Sequence, residues 1–253
     1  MNASVSIAVS QSELALDAFT QSYLDMPVPM GRGVWRWLDN SHQWHCIKAR
    51  SDDSGHYLIA NEWDKLSRIQ SQHVPKVLAH RVLDQASLLV TDYSPGTTVS
   101  HLIKHRGAGF SDYEIIVTQL INALMDCHRH SVVHGDIKPN NLVFDGETLQ
   151  LIDFGHAGLI GELLQEKKYR GFSPSFSLPS LKEGQGKVST DADWYSFFIV
   201  VYVLKFGRLP VFDFATDKPI SNIWGDLIQE MNISALYRKF LVNRITELDQ
   251  NLC

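Results

Sequence analysis

Residues 134–155, HGDIKPNNLVFDGETLQLIDFG, set two short polar runs on either side of an apolar stretch. The first run is His134-Gly135-Asp136-Ile137-Lys138-Pro139-Asn140-Asn141, and the second is Asp153-Phe154-Gly155. Between them, Leu142-Val143-Phe144 and Leu149-Gln150-Leu151-Ile152 read as two short strands, and Asp145-Gly146-Glu147 carries the residues of a tight turn. A chain folded in this way returns two acidic residues, Asp136 and Asp153, to one mouth. Asn141 stands beside them at the start of the first strand.

The chemistry of such a mouth can be named. Asp136 is suited to accept a proton from an attacking hydroxyl. Asn141 and Asp153 offer hard oxygen ligands of the kind Mg²⁺ takes. Lys138 brings a cation toward a transferring phosphoryl group, whose reaction needs in-line positioning and neutralised charge more than covalent help. These residues resemble a protein kinase. His134 to Asn141 is similar to the catalytic loop H-R-D-L-K-P-x-N, with Gly135 in place of the arginine, and Asp153-Phe154-Gly155 is the D-F-G motif. A D-F-G triplet alone is a weak signal; both motifs, in order and joined by a hairpin, are a strong one.

Upstream residues follow the same order. Gly31 and Gly33, in Met30-Gly31-Arg32-Gly33-Val34, allow a backbone to approach phosphate oxygens closely. Trp35-Arg36-Trp37-Leu38 and Gln43-Trp44-His45-Cys46-Ile47 read as a hairpin around Asp39-Asn40-Ser41. Lys48 follows at the end of the second strand and resembles the lysine of the kinase V-A-I-K. Arg36 replaces the third glycine of the kinase loop, and Pro27 and Pro29 make a poor first strand. Asn61 to Ile69 has helical spacing, with Leu66 and Ile69 on one face. Glu62, in that segment, resembles the helix glutamate that pairs with the strand lysine. Val74-Pro75-Lys76-Val77-Leu78 and Leu88-Leu89-Val90-Thr91-Asp92-Tyr93 read as a strand pair. The second resembles the kinase hinge, with Thr91 as gatekeeper and Asp92-Tyr93-Ser94 presenting backbone groups to adenine. Pro95-Gly96 breaks the strand.

From Ser111 on, Ile115, Ile116, Leu120, Ile121, Leu124 and Met125 mark an amphipathic helix. Cys127, His128 and His130 near its end raise a metal site as a candidate, but lone histidines at a helix end are far more often caps or surface residues. Ser173-Pro174-Ser175-Phe176-Ser177-Leu178-Pro179-Ser180 resembles the kinase segment T-P-x-Y-x-A-P-E, with Ser180 in place of the glutamate. Asp193-Trp194-Tyr195-Ser196 resembles D-x-W-S, the start of a helix whose aspartate braces the catalytic loop. Leu209-Pro210-Val211-Phe212 is similar to the segment after that helix, and the short remainder implies shortened final helices. At the other end, Ser10-Gln11-Ser12-Glu13 has capping-box spacing. Leu14, Leu16, Ala18, Phe19 and Tyr23 then suggest a helix to Asp25, packed on the outside of the first lobe.

The chain has 253 residues, 44% of them hydrophobic, and a formal net charge of −5. That composition is ordinary for a soluble domain and argues against a general nucleic-acid binder. Cys46, Cys127 and Cys253 are sparse and scattered, which suggests a reducing compartment without a disulfide framework. The longest apolar run, Phe197 to Leu204, is too short to span a bilayer, and Met1 to Gln11 lacks the basic start of a signal peptide. A cytoplasmic protein with no membrane or nucleic-acid partner is expected; export as an effector by a non-classical signal would escape this reading.

The resemblance implies an α+β, two-lobed protein-kinase-like fold in a single domain over 1–253. The β-rich N-lobe, with its N-terminal helix, covers 1–94, and the helical C-lobe, with a shortened C-terminus, covers 95–253. ATP would lie in the cleft. Gly31 and Gly33 would cover its phosphates, Lys48 held by Glu62 would bind them, and Asp92 and Tyr93 would meet the base. Asn141 and Asp153 would hold Mg²⁺, Asp136 would act as base, and Lys138 would neutralise the transferring group. The activity implied is transfer of the ATP γ-phosphate to Ser or Thr hydroxyls of a protein substrate. Two alternatives share the fold. Aminoglycoside- or choline-type small-molecule kinases also use H-G-D, but without the lysine or the Ser173–Pro179 segment. A pseudokinase scaffold is the other.

Overall fold

The structure, a computed structural model, describes residues 27–83, 86–178, 181, 183–210 and 221–252. The helix expected before Asp25, Pro179, Ser180 and Val211-Phe212 lie outside the described residues. The described residues fall into two compact units. One contains those up to Ser67 together with Pro75–Ser94; the other contains Arg68–Val74 and those from Pro95 on.

The first unit is built on a five-stranded antiparallel sheet of β1 (Val28–Gly31), β2 (Val34–Leu38), β3 (Trp44–Arg50), β4 (Val77–Leu83) and β5 (Ala86–Asp92), in the order β1-β2-β3-β5-β4. The β1 strand forms despite Pro29, because it is an edge strand where a missing N–H costs no ladder bond, and its register shifts between Pro29 and Gly31. The turn between β2 and β3 closes through Asp39, whose Oδ1 accepts from the N–H groups of Ser41 and Gln43. Alternation puts Trp35, Trp37, Ile47, Ala49, Leu88 and Val90 together in one buried cluster. Helix α1 (Asp53–Leu66) begins well before Asn61, where the sequence pattern starts it. Its true signal is Asp52, an N-cap whose Oδ1 accepts from Gly55 N at 2.6 Å. Ile69 falls beyond the helix end but is buried.

The second unit contains α2 (Val99–Arg106), α3 (Tyr113–Arg129) and two small sheets. One pairs β7 (Val132–Val133) with β10 (Gly158–Leu159). The other orders β6 (Thr97–Thr98), β8 (Leu142–Phe144) and β9 (Leu149–Leu151) as β6-β8-β9. The β8–β9 turn is closed by Asp145, whose Oδ1 accepts from Glu147 N and Thr148 N. Helix α4 (Asp191–Phe206) is buried almost throughout, with Trp194, Phe197 and Phe198 enclosed, and α5 (Ser221–Glu230) and α6 (Ala235–Leu252) follow. Each such ring removed from water contributes about 2–3 kcal/mol. The Arg68–Val74 stretch belongs here because Ser71 Oγ donates to Asp126 Oδ2 at 2.6 Å and Leu151 N donates to His73 O at 2.8 Å.

Candidate active site

Both ends of the His134–Asn141 loop are tied by strands. It leaves β7, which is paired with β10, and enters β8, which is paired with β9. Because β10 follows the D-F-G triplet and β9 precedes it, the same two ladders hold Asp153-Phe154-Gly155 against the loop. Ile152 N donates to Asn141 O at 2.9 Å, and Phe154 sits fully buried with its ring edge-on to His134, centroids 4.6 Å apart. His134 Nε2 bonds Ile152 O at 3.0 Å while Nδ1 accepts from Asp136 N at 3.2 Å, which fixes the proton on Nε2.

Within the loop, the Lys138 ammonium donates to Asp136 Oδ2 at 2.6 Å and to Ser173 Oγ at 2.9 Å. Asn141 Nδ2 donates to Asp136 O at 2.9 Å and to Asp136 Oδ2 at 3.3 Å. These contacts leave Asp136 Oδ1 buried with no partner among the described residues. A buried carboxylate oxygen without a donor is costly unless it serves a ligand or reaction. Asp153 adopts a left-handed conformation, φ 72° and ψ 67°, which aspartate tolerates better than most side chains.

Asp193 of α4 underlies this arrangement. It is wholly buried, and its oxygens accept from His134 N at 2.9 Å, Gly135 N at 2.8 Å and His128 Nε2 at 2.9 Å. Burial pushes its carboxyl up, but the hydrogen bonds from His128 and from the Gly135 N–H oppose burial, and the group is held below its ordinary range. His128 is therefore neither a cap nor a surface residue. Nothing in its local sequence signals this, since the partner lies 65 residues on. His130 does behave as a cap: it ends α3, and its ring nitrogen bonds Asp126 O at 2.8 Å.

In the first unit, Lys48 lies inside β3, directly across from Val34 on β2 and Leu89 on β5. Its ammonium meets Glu62 Oε1 at 2.6 Å, and Glu62 is buried on α1. Gly31 and Gly33 form one side of the β1–β2 turn. Gly33 has φ 67°, and a Cβ there would lie 2.2 Å from Arg50 Nη1 and 2.6 Å from Ala49 O. Its carbonyl accepts from Ala49 N and from Arg50 Nη1. The turn itself thus requires glycine at 33, whatever lies over it, whereas a Cβ on Gly31 would meet open space. At the end of β5, Thr91 is buried with its hydroxyl on Asp92 O. The Asp92 and Tyr93 N–H groups are committed to Lys76 O and Trp44 O. Burial pushes the Asp92 carboxyl up.

The sequence pattern of the protein kinase domain matches residues 42–252. The chain belongs to the protein kinase domain family. Members of that family use ATP with a divalent metal ion and act on protein substrates. The β-rich first unit and the largely helical second unit are the two lobes of its α+β fold. The chain is 31% identical to a serine/threonine-protein kinase SIK3 homolog of Danio rerio over 67% of its length. It is 27% identical to the SNF1-like protein kinase ssp2 of Schizosaccharomyces pombe over 62%, and 26% identical to sucrose non-fermenting protein kinase 1 of Fusarium virguliforme over 61%. These matches span only 14%, 27% and 22% of those proteins. No described helix of this kinase-family chain is long and apolar enough to cross a membrane.

Proposed function

We propose that the chain is an ATP-dependent serine/threonine protein kinase, and that Asp136, Lys138, Asn141 and Asp153 carry the transfer. The observation that carries this reading is the buried, unpartnered Asp136 Oδ1 beside an Oδ2 already neutralised by Lys138. One oxygen is held and the other is left to accept a proton from an acceptor hydroxyl. Lys138 also stands ready to offset charge on the transferring group.

The donor set fits a magnesium ion. Asn141 uses its amide nitrogen on Asp136, which leaves its Oδ1, with the Asp153 carboxylate, as hard oxygen ligands. Two protein ligands suffice for an ion that keeps waters and substrate phosphates as its other partners. When bound, the ion neutralises phosphate charge; the positioning is the work of this chain's residues. Lys48, braced by Glu62, would clamp the nucleotide phosphates, with Gly31 and Gly33 in the turn nearby. Asp92 and Tyr93 would meet the base through groups other than their committed N–H donors.

The Lys138–Ser173 contact favours a protein acceptor over a small molecule. It ties the catalytic loop to the Ser173–Ser177 segment, whose sequence resembles the kinase segment T-P-x-Y-x-A-P-E. Purified chain with labelled ATP, Mg²⁺ and generic protein acceptors tests the reading: label is expected on Ser or Thr. Label transferred only to aminoglycosides or choline would reject it in favour of a small-molecule kinase. No transfer, with intact fold, would favour a scaffold.

A further inference from the structure

On the first unit's sheet, the face opposite the Trp35 and Trp37 cluster carries a row of unusual character. Register places Arg36 beside Cys46 and Cys46 beside Thr91, one alternation away from the Val34–Lys48 pair. Moving from Lys48 toward the end of β5, this face therefore reads first Lys48, then Arg36, Cys46 and Thr91, then Trp44. Arg36 makes no ion pair among the described residues; its guanidinium carbon lies 4.9 Å from the centre of the Trp44 ring. Trp44 is 42% exposed and neighbours Tyr93, ring centroids 6.4 Å apart.

A nucleotide with its phosphates at Lys48 and its base at Asp92–Tyr93 must lie across the Arg36 row, which is about 7 Å from the Lys48 row at strand rise. The group that meets it there is planar, cationic and already laid on an aromatic ring. Guanidinium planes stack on flat π-systems, aromatic side chains and bases alike. We propose that Arg36 is a base-binding residue of the nucleotide site, its guanidinium steadied by Trp44 and stacked on the base. This rests on the kinase reading above.

The test is the affinity of the full chain for ATP-Mg²⁺ by calorimetry and for adenosine by competition. Arg36→Ala is expected to weaken both by about tenfold. Arg36→Lys, which keeps the charge and loses the plane, should recover only part of the loss, and Trp44→Ala should weaken both by a smaller factor. Thermal midpoints check that each variant is folded. Loss of ATP affinity with adenosine unchanged would overturn the proposal, because the cation would then serve the phosphates. Unchanged or tighter binding by Arg36→Ala would overturn it too, as would adenosine that fails to compete on wild type. Wild type that binds no ATP at all would reject the kinase reading itself, a result distinct from any of these.

Discussion

Lys138 Nζ lies 2.9 Å from Ser173 Oγ, a contact between residues 35 apart in sequence, while the same ammonium holds Asp136. Ser173 thus positions the cation that neutralises one oxygen of the proposed base. Ser173→Ala removes a hydrogen bond to a charged group, an interaction worth about 1.5–3 kcal/mol. Initial rates should fall by about tenfold, with Ser173→Thr near wild type. A Ser173→Ala enzyme at full rate would show that Lys138 needs no second anchor.

The Lys48–Glu62 pair divides unequally between its members. Lys48→Ala should lower transfer by about a hundredfold or more, since it removes a phosphate clamp from a partly desolvated position. Glu62→Ala should cost less, because it only orients Lys48. Steady-state rates at saturating ATP separate the two. Equal rates for Lys48→Ala and wild type would contradict the assignment of the strand lysine.

Asp193 links stability to acidity. Its folded carboxyl is held below the ordinary value of 3.8, so its ionised form is favoured by folding. The stability it contributes is fully present above the unfolded value and is lost as pH falls through the folded one. Asp193→Asn should lower unfolding free energy at neutral pH by about 3 kcal/mol, because it breaks a buried, hydrogen-bonded charge. The difference from wild type should shrink on acidification below the carboxylate range. Denaturant melts at neutral and acid pH measure both. A constant gap at all pH values would mean that the charge on Asp193 is not what stabilises the loop.

Much of the site was legible because its signals are local. The β8–β9 hairpin follows from turn residues and alternation, and it delivers Asn141 and Asp153 to their places. Edges were less legible. Val74-Pro75 reads as strand, yet β4 starts at Val77 and runs on to Leu83; Pro75 has no N–H for a ladder. The start of α1 was hidden by Gly55 in its first turn, which the Asp52 cap overrides. Long-range partners were not legible at all. Neither the His128–Asp193 bond nor the Arg50 contact with Gly33 leaves a pattern in the neighbouring residues.

Gly135 bears on regulation. No guanidinium extends from it to meet a phosphate on the segment after D-F-G. Of the nearby cations, Lys167 donates to His156 O and Ala157 O, Lys168 lies over the Tyr169 ring, and the Arg170 guanidinium lies beside Gly184. Ser173 is bonded to Lys138, Ser177 is buried, and Ser175 is exposed. Activity should therefore not depend on phosphorylation of this segment. Phosphatase-treated enzyme and Ser175→Ala should match untreated wild type in initial rate. A large loss in both would reject the idea.

The most direct measurement is transfer of the γ-phosphate from ATP-Mg²⁺ to a protein acceptor by wild type, Asp136→Ala and Asp153→Ala, with circular dichroism confirming that all three are folded. Wild type is expected to phosphorylate Ser or Thr, and neither variant is expected to do so above background. Transfer at wild-type rate by Asp153→Ala or Asp136→Ala would contradict it, because the loop and the D-F-G carboxylate would then have no part in the chemistry.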